Sequence, residues 1–104
     1  MVEEILKDFF LGFIKIHILH HAAKEPIYVS EFREELAQHG YEFSFGTLYP
    51  IFHKLHQEDY LKQDERVVAG KLRKYYLITA KGEQVLEIAK IKAKELFFEI
   101  LSVE

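Results

Sequence analysis

The sequence predicts a mainly α fold with one small β-hairpin (α+β), with helices ahead of the hairpin and one long helix after it. Three observations carry that expectation. Apolar residues recur at helical spacing as far as Leu55, two strand-like runs meet at Ala69-Gly70, and the last quarter holds an uninterrupted helical pattern.

Residues 3 to about 23 read as the first helix, with no proline and a single glycine. Apolar residues sit at almost every azimuth, and the polar strip through Glu4, Asp8 and Lys15, with Gly12 between them, is narrow. A helix that is apolar nearly all round needs cover on more than one side. A chain of 104 residues has few elements to supply it, so a second subunit is the simple solution. Pro26 closes the region.

Ser30 reads as the N-cap of a short helix to His39, with Glu31, Glu34 and Glu35 near the positive end of its dipole. Phe32 and Leu36 would face inward, and Gly40 can take the left-handed conformation that stops a helix. A turn from Tyr41 to Phe43 follows. Leu48, Ile51, Phe52 and Leu55 then mark the buried stripe of a third helix, whose opposite face carries Thr47, Tyr49, Pro50, His53, Lys54 and Gln57. Pro50 leaves two readings open. Either Ser44 caps the helix and Pro50 bends it, or the regular part starts near Thr47 and Pro50 falls in the first turn.

Leu61 to Val67 and Leu72 to Ile78 read as strands joined by a turn at Ala69-Gly70, with strand propensity strongest in Tyr75-Tyr76-Leu77-Ile78. Thr79 can cap a last helix to about Leu101. Leu86, Ala89, Ala93, Leu96, Ile100 and Val103 repeat there at alternating intervals of three and four, the spacing of a coiled-coil seam. At roughly 1.5 Å per residue such a helix is about 33 Å long, too long for so small a core to bury.

Composition narrows the function. The chain has no cysteine, which removes disulfides, thiolate zinc sites and cysteine catalysis and fits a reducing compartment. Its most apolar stretch, Phe9 to Ile14, is far short of the roughly 18 residues a membrane span needs, and the start lacks a basic region. The expected location is cytoplasmic. A net charge of −3 argues against a generic nucleic-acid binder, but the charge is unevenly spread. Residues 1–43 hold four basic and eight acidic groups, residues 44–79 six basic and four acidic. Arg66, Lys71, Arg73 and Lys74 lie within nine residues that contain no acid. That is a local electrostatic footprint.

A helix pair followed by a basic hairpin is the plan of a winged helix-turn-helix, in which the later helix of the pair enters the major groove of double-stranded DNA. On this reading residues 1–79 form the winged helix DNA-binding domain with its N-terminal helix. Residues 80–104 form a C-terminal dimerisation helix, and the whole is a single structural domain. Ser44-Phe45-Gly46-Thr47-Leu48-Tyr49-Pro50, continuing to His53-Lys54-Leu55, resembles the signature of the PadR family of transcriptional regulators. Gly70-Lys71-Leu72-Arg73-Lys74-Tyr75-Tyr76-Leu77-Ile78-Thr79, with Gly82 shortly after, resembles it too. The resemblance implies a dimeric repressor joined through its first and last helices. Phe45 stands where the family often has proline and Lys71 where arginine is usual, and Val29-Ser30 replaces a common Gly-Tyr.

The candidate DNA-binding residues are therefore Ser44, Thr47, Tyr49, His53, Lys54 and Gln57 on the third helix and Lys71, Arg73 and Lys74 in the hairpin. Hydroxyls and cations suit phosphates, while Gln and His can reach base edges. Arg73 and Lys74 are adjacent in a strand and should point to opposite faces, which would leave one of them on the DNA. The candidate homodimer interface is Phe9, Phe10, Phe13, Leu86, Ala89, Ala93, Leu96, Phe97 and Ile100. Phe9, Phe10, Phe13, Phe97 and Phe98 could also line a pocket for a small aromatic or phenolic effector, an expectation drawn mostly from the resemblance.

His17, His20 and His21 lie at i, i+3 and i+4, and His53 with His56 offer another pair one turn apart, but no carboxylate completes a metal motif. Neither a metal nor another cofactor is expected. Without a glycine-rich phosphate loop, a thiol or a convincing nucleophile–base pair, an enzyme is not expected either. The alternative is a winged-helix adaptor that dimerises without binding DNA, which would not need the clustered cations.

Overall fold

The computed structural model describes residues 2–102, so Val103 of the expected seam lies outside the described residues. The elements are α1 (Val2–Lys24), α2 (Val29–Gln38), α3 (Phe45–Gln57), β1 (Leu61–Val68), β2 (Lys71–Ile78) and α4 (Ala80–Leu101). β1 and β2 form an antiparallel hairpin in which Val68 faces Lys71 and Leu61 faces Ile78. Ala69 and Gly70 both take positive φ, 53° and 78°. A two-residue turn of that kind matches the natural twist of the strands it joins. The architecture is the expected mainly α fold with one hairpin wing.

A single core holds the elements together. Ile14, Ile18 and Leu19 of α1 meet Phe32 and Leu36 of α2, Leu48, Phe52 and Leu55 of α3, and Leu61, Tyr76 and Leu86 beyond them. Phe52 is wholly buried at its centre, with the ring of Phe32 at 5.6 Å and that of Tyr76 at 5.0 Å between centroids. The wing is also tied to the helices through the backbone. The Ile27 N–H donates to the Tyr76 carbonyl at 3.0 Å, and the Tyr76 N–H donates to the Ile27 carbonyl at 2.7 Å.

That bridge corrects the start of α2. Ser30 is not its N-cap; the helix begins at Val29, with Tyr28 in the cap position and no side-chain cap bond. Ile27 is fixed by the bridge and Val29 is buried, so the backbone turns helical one residue before a serine hydroxyl could serve. Gly40 behaves as expected. At φ 86° it ends α2 while the Tyr41 N–H reaches back to the Leu36 carbonyl at 2.9 Å.

α3 follows the first of the two readings. The Ser44 hydroxyl accepts from the Thr47 N–H at 3.2 Å, and the helix continues through Pro50 to Gln57. Pro50 is exposed, so the Gly46 carbonyl that loses its helical partner lies on the outer side. Asp59, with φ 67°, ends α3 in the left-handed position usually given to glycine, and the Tyr60 N–H bonds the Leu55 carbonyl at 2.9 Å.

The start of α4 is built onto this end of α3. Thr79 caps α4 by accepting from the Gly82 N–H at 3.0 Å, and its hydroxyl donates to the Asp59 carbonyl at 2.6 Å. Lys81 donates to the Glu58 carbonyl at 2.8 Å and lies over the Tyr60 ring. Gly82 is buried against the Tyr60 carbonyl. Beyond Lys90 every described residue of α4 is exposed, Phe98 at 70%, and at the other end of the chain Ile5 of α1 is exposed at 73%. The two terminal helices thus leave apolar surface that no other described residue covers.

A methyl group at Gly82 would collide with the Tyr60 carbonyl and sit 2.7 Å from Ile78 Cγ1. Gly82→Ala should cost about 2 kcal/mol, on the order of 10 °C in melting midpoint. Thermal unfolding followed by circular dichroism measures it, and an unchanged midpoint would refute the seating of α4 described here.

Candidate nucleic-acid interface

A cleft of about 820 Å³ opens between α3 and the wing. Tyr49, Pro50 and His53 line it from α3, and Leu72, Arg73, Lys74 and Tyr76 from β2, with Gln63 of β1 behind them. Tyr28, Val29 and Ser30 close the end where α2 begins. No aspartate or glutamate lines it. In a chain of net charge −3 an acid-free cleft with two cations on its wall is a selective arrangement.

Four of the nine residues expected on this surface meet there: Tyr49, His53, Arg73 and Lys74. Strand alternation does place Arg73 with Lys71 and Tyr75, and Lys74 with Leu72 and Tyr76. Both nevertheless line the cleft, because it runs along the edge of β2 that Ile27 begins to cover. The two side chains, expected on opposite faces of the strand, thus border one cleft. Lys71 is exposed beside the hairpin turn, and Lys54 and Gln57 are exposed on α3 outside the cleft. Ser44 and Thr47 stand at the start of α3 with hydroxyl oxygens 3.2 Å apart, engaged in the cap.

The cations differ in their surroundings. Arg66 Nε bonds Asp64 Oδ2 at 2.9 Å, and its guanidinium lies 4.7 Å from the Tyr75 ring centre. Arg66 therefore contributes little net charge to the footprint. Arg73 lies directly across the hairpin from Arg66, but its guanidinium is stacked over Tyr28 at 4.6 Å. Tyr75, and after it Tyr28, raise the Arg73 pKa above its usual value. Among the described residues, Lys54, Lys71, Arg73 and Lys74 make no ion pair. A separate stack crosses the start of α3. The Arg33 guanidinium lies 4.6 Å from the Phe45 ring, which stacks on Tyr49 at 5.4 Å, while Arg33 Nε donates to the Phe43 carbonyl at 2.8 Å.

Tyr28 and Gln63 were not among the expected site residues. Gln63 was accessible in principle, since a two-residue turn at Ala69-Gly70 pairs it with Tyr76, and its amide does donate to the Tyr76 hydroxyl at 3.0 Å. Tyr28 reaches the wing only through the Ile27 bridge, a long-range contact with no local signal.

The residues expected at a subunit interface are mostly at the surface. Phe9, Ala93, Leu96, Phe97 and Ile100 are exposed, and Ala89 is half-buried. Phe10 and Phe13 lean on Tyr41, at 6.2 and 5.4 Å. Leu86 is buried in the chain's own core.

The histidines of α1 form a row. His17 and His21 stack at 6.1 Å, His20 meets His21 at 5.2 Å, and His21 meets the Phe32 ring at 5.9 Å. Among the described residues no three of His, Asp and Glu are grouped to hold a metal ion. Burial chiefly lowers the His17 pKa, with His21, His20 and His39 adding repulsion and Glu35 opposing them. Burial also lowers His20, aided by Lys24, His21 and Lys90.

Comparison with known proteins gives a consistent result. Residues 18–88 match the model of the transcriptional regulator PadR-like family. The transcriptional regulator Rv3488 of Mycobacterium tuberculosis is 36% identical over 96 residues, 92% of this chain and 90% of that protein. A PadR-like transcription factor from Bacteroides fragilis superposes with a TM-score of 0.81 at 30% identity, covering 93% of this chain and 95% of the other. A PadR family transcriptional regulator from Eggerthella lenta gives 0.80 at 25% identity, covering 99% and 94%.

The histidine row makes stability depend on pH. With both folded-state values depressed, the unfolded chain takes up protons at about pH 6.5 where the folded chain does not. Stability is therefore complete above that pH and falls as the pH drops through it. The urea midpoint should decline from about pH 7.5 to about pH 5.5, and His17→Gln should flatten the decline. A midpoint that is constant or rises toward acid would contradict this.

Proposed function

The chain belongs to the PadR-like family of transcriptional regulators, and from that premise we propose that it is a homodimeric repressor that binds double-stranded DNA. In this reading α3 enters the major groove, with Tyr49 and His53 toward the bases. Arg73, Lys74 and Lys71 of the wing, together with Lys54, hold the sugar-phosphate backbone. The observation that carries it is the acid-free cleft between α3 and the wing, with cations at its wall and hairpin tip that make no ion pair among the described residues. Phosphate contacts fix register and orientation, whereas base-edge contacts carry the sequence preference.

The exposed apolar surface of α1 and α4, above all Ile5, Phe9, Leu96, Phe97 and Ile100, supports the dimer reading. An apolar area of that extent on a small chain marks an association surface. Two copies would present two α3 helices to one duplex, as dimeric helix-turn-helix regulators do. A small aromatic effector would release the repressor from the α4 end, where Lys94, Phe97, Phe98 and Leu101 line an apolar surface hollow of about 360 Å³. The protein would act on DNA as a binder, not an enzyme, and in the cytoplasm.

Each phosphate contact on a duplex releases about 0.9 of a counterion. Lys71→Ala removes one contact from each subunit, so the slope of log affinity against log salt should fall by about 2 on a random-sequence duplex. Fluorescence anisotropy across a salt series measures it. A fall of about 1 would place a single subunit on the DNA, and an unchanged slope would remove the wing from the interface.

A further inference from the structure

Arg66 and Arg73 are directly opposed across the hairpin, and like charges in that position repel. The structure stacks them on different rings, with Tyr75 interacting with both. Arg66 turns to Asp64 and the Tyr75 ring. Arg73 turns to Tyr28, a residue that does not belong to the wing. Tyr28 and Tyr75 themselves meet edge to face at 5.3 Å, so the two guanidinium stacks form one continuous assembly.

Tyr28 is well fixed for this purpose. Its backbone is extended, with φ −121° and ψ 155°, which sends its side chain away from the direction taken by Ile27 and Val29. Both of those neighbours are buried, and Ile27 is bonded to Tyr76 in both directions. The ring therefore stands outward at the end of the cleft, on a backbone that cannot readily shift.

We propose that Tyr28 is a positioning residue for DNA binding: its ring holds the Arg73 guanidinium at the wall of the cleft, so that the wing meets a phosphate with that cation already in place. This rests on the DNA-binding reading above and adds to it the residue that precedes α2. An arginine free to rotate must be immobilised when it binds, and that ordering weakens affinity. An aromatic ring beneath the guanidinium removes part of that loss beforehand while leaving the charge and the outer N–H groups available. Arg66, neutralised by Asp64, contributes instead by keeping Tyr75 against Tyr28.

The test compares wild type, Tyr28→Leu, Arg73→Ala and the double variant on one short random-sequence duplex over a salt series. Tyr28→Leu should weaken binding roughly tenfold when Arg73 is present and leave affinity unchanged when Arg73 is alanine. Its salt slope should match wild type, because no charge is lost, while Arg73→Ala lowers the slope by about 2. Tyr28→Phe, which keeps the ring, should bind as wild type does. Circular dichroism confirms folding, and Tyr28→Gln repeats the comparison if leucine disturbs it. Equal losses in both Arg73 backgrounds would reduce Tyr28 to a merely structural residue and overturn the proposal. A wild type that binds duplex while Tyr28→Leu binds equally well overturns the positioning role alone. A wild type that binds no duplex overturns the DNA-binding reading with it.

Discussion

The arrangement of the site depends on Tyr76. Its backbone is bonded to Ile27 on both sides, its ring lies on Phe52, and its hydroxyl accepts from Gln63. One residue thus joins the wing, the lead-in to α2 and the core face of α3. A two-stranded hairpin alone is marginally stable at best in water. Without this attachment β2 would have no fixed angle to α3 and the cleft no fixed width. Phe52 completes the joint from below, because the ring that supports Tyr76 also packs on Phe32 of α2. Burying an aromatic side chain of this size contributes about 3 kcal/mol, enough to hold the small wing to the helices.

A second joint lies between α3 and α4. Thr79, Lys81 and Gly82 at the start of α4 are engaged with the carbonyls of Glu58, Asp59 and Tyr60 at the end of α3. The helix proposed to read DNA and the helix proposed to join subunits are therefore seated on one another. Charge is organised along the same line. Residues 1–43 carry twice as many acidic as basic groups, while Lys71, Arg73 and Lys74 of the wing and Lys54 of α3 make no ion pair among the described residues.

Much of this was legible in the residues because local rules decide it. Ser44 and Thr79 cap helices through their hydroxyls, Gly40 ends α2, and Ala69-Gly70 makes the hairpin turn. Each of those depends on a few neighbouring positions. The misreadings share a different origin. Ser30 lost its expected cap role because Ile27, distant in sequence from Tyr76, bonds to it and sets where α2 begins. Strand alternation puts Arg73 and Lys74 on opposite hairpin faces, and says nothing of a cleft along the strand edge that both border. Tyr28 went unnoticed for the reason Ser30 was misread. Leu86 fits the seam by spacing, yet the core of the same chain takes it up. Periodicity identifies an apolar face without saying which partner covers it.

The most direct test of the account is a map of the amides that respond when isotopically labelled protein is titrated with duplex DNA in solution. The account predicts that the largest chemical-shift changes fall on Tyr49, His53, Arg73 and Lys74, with Tyr28 close behind. Changes confined to the exposed end of α4, with the cleft residues unmoved, would contradict it.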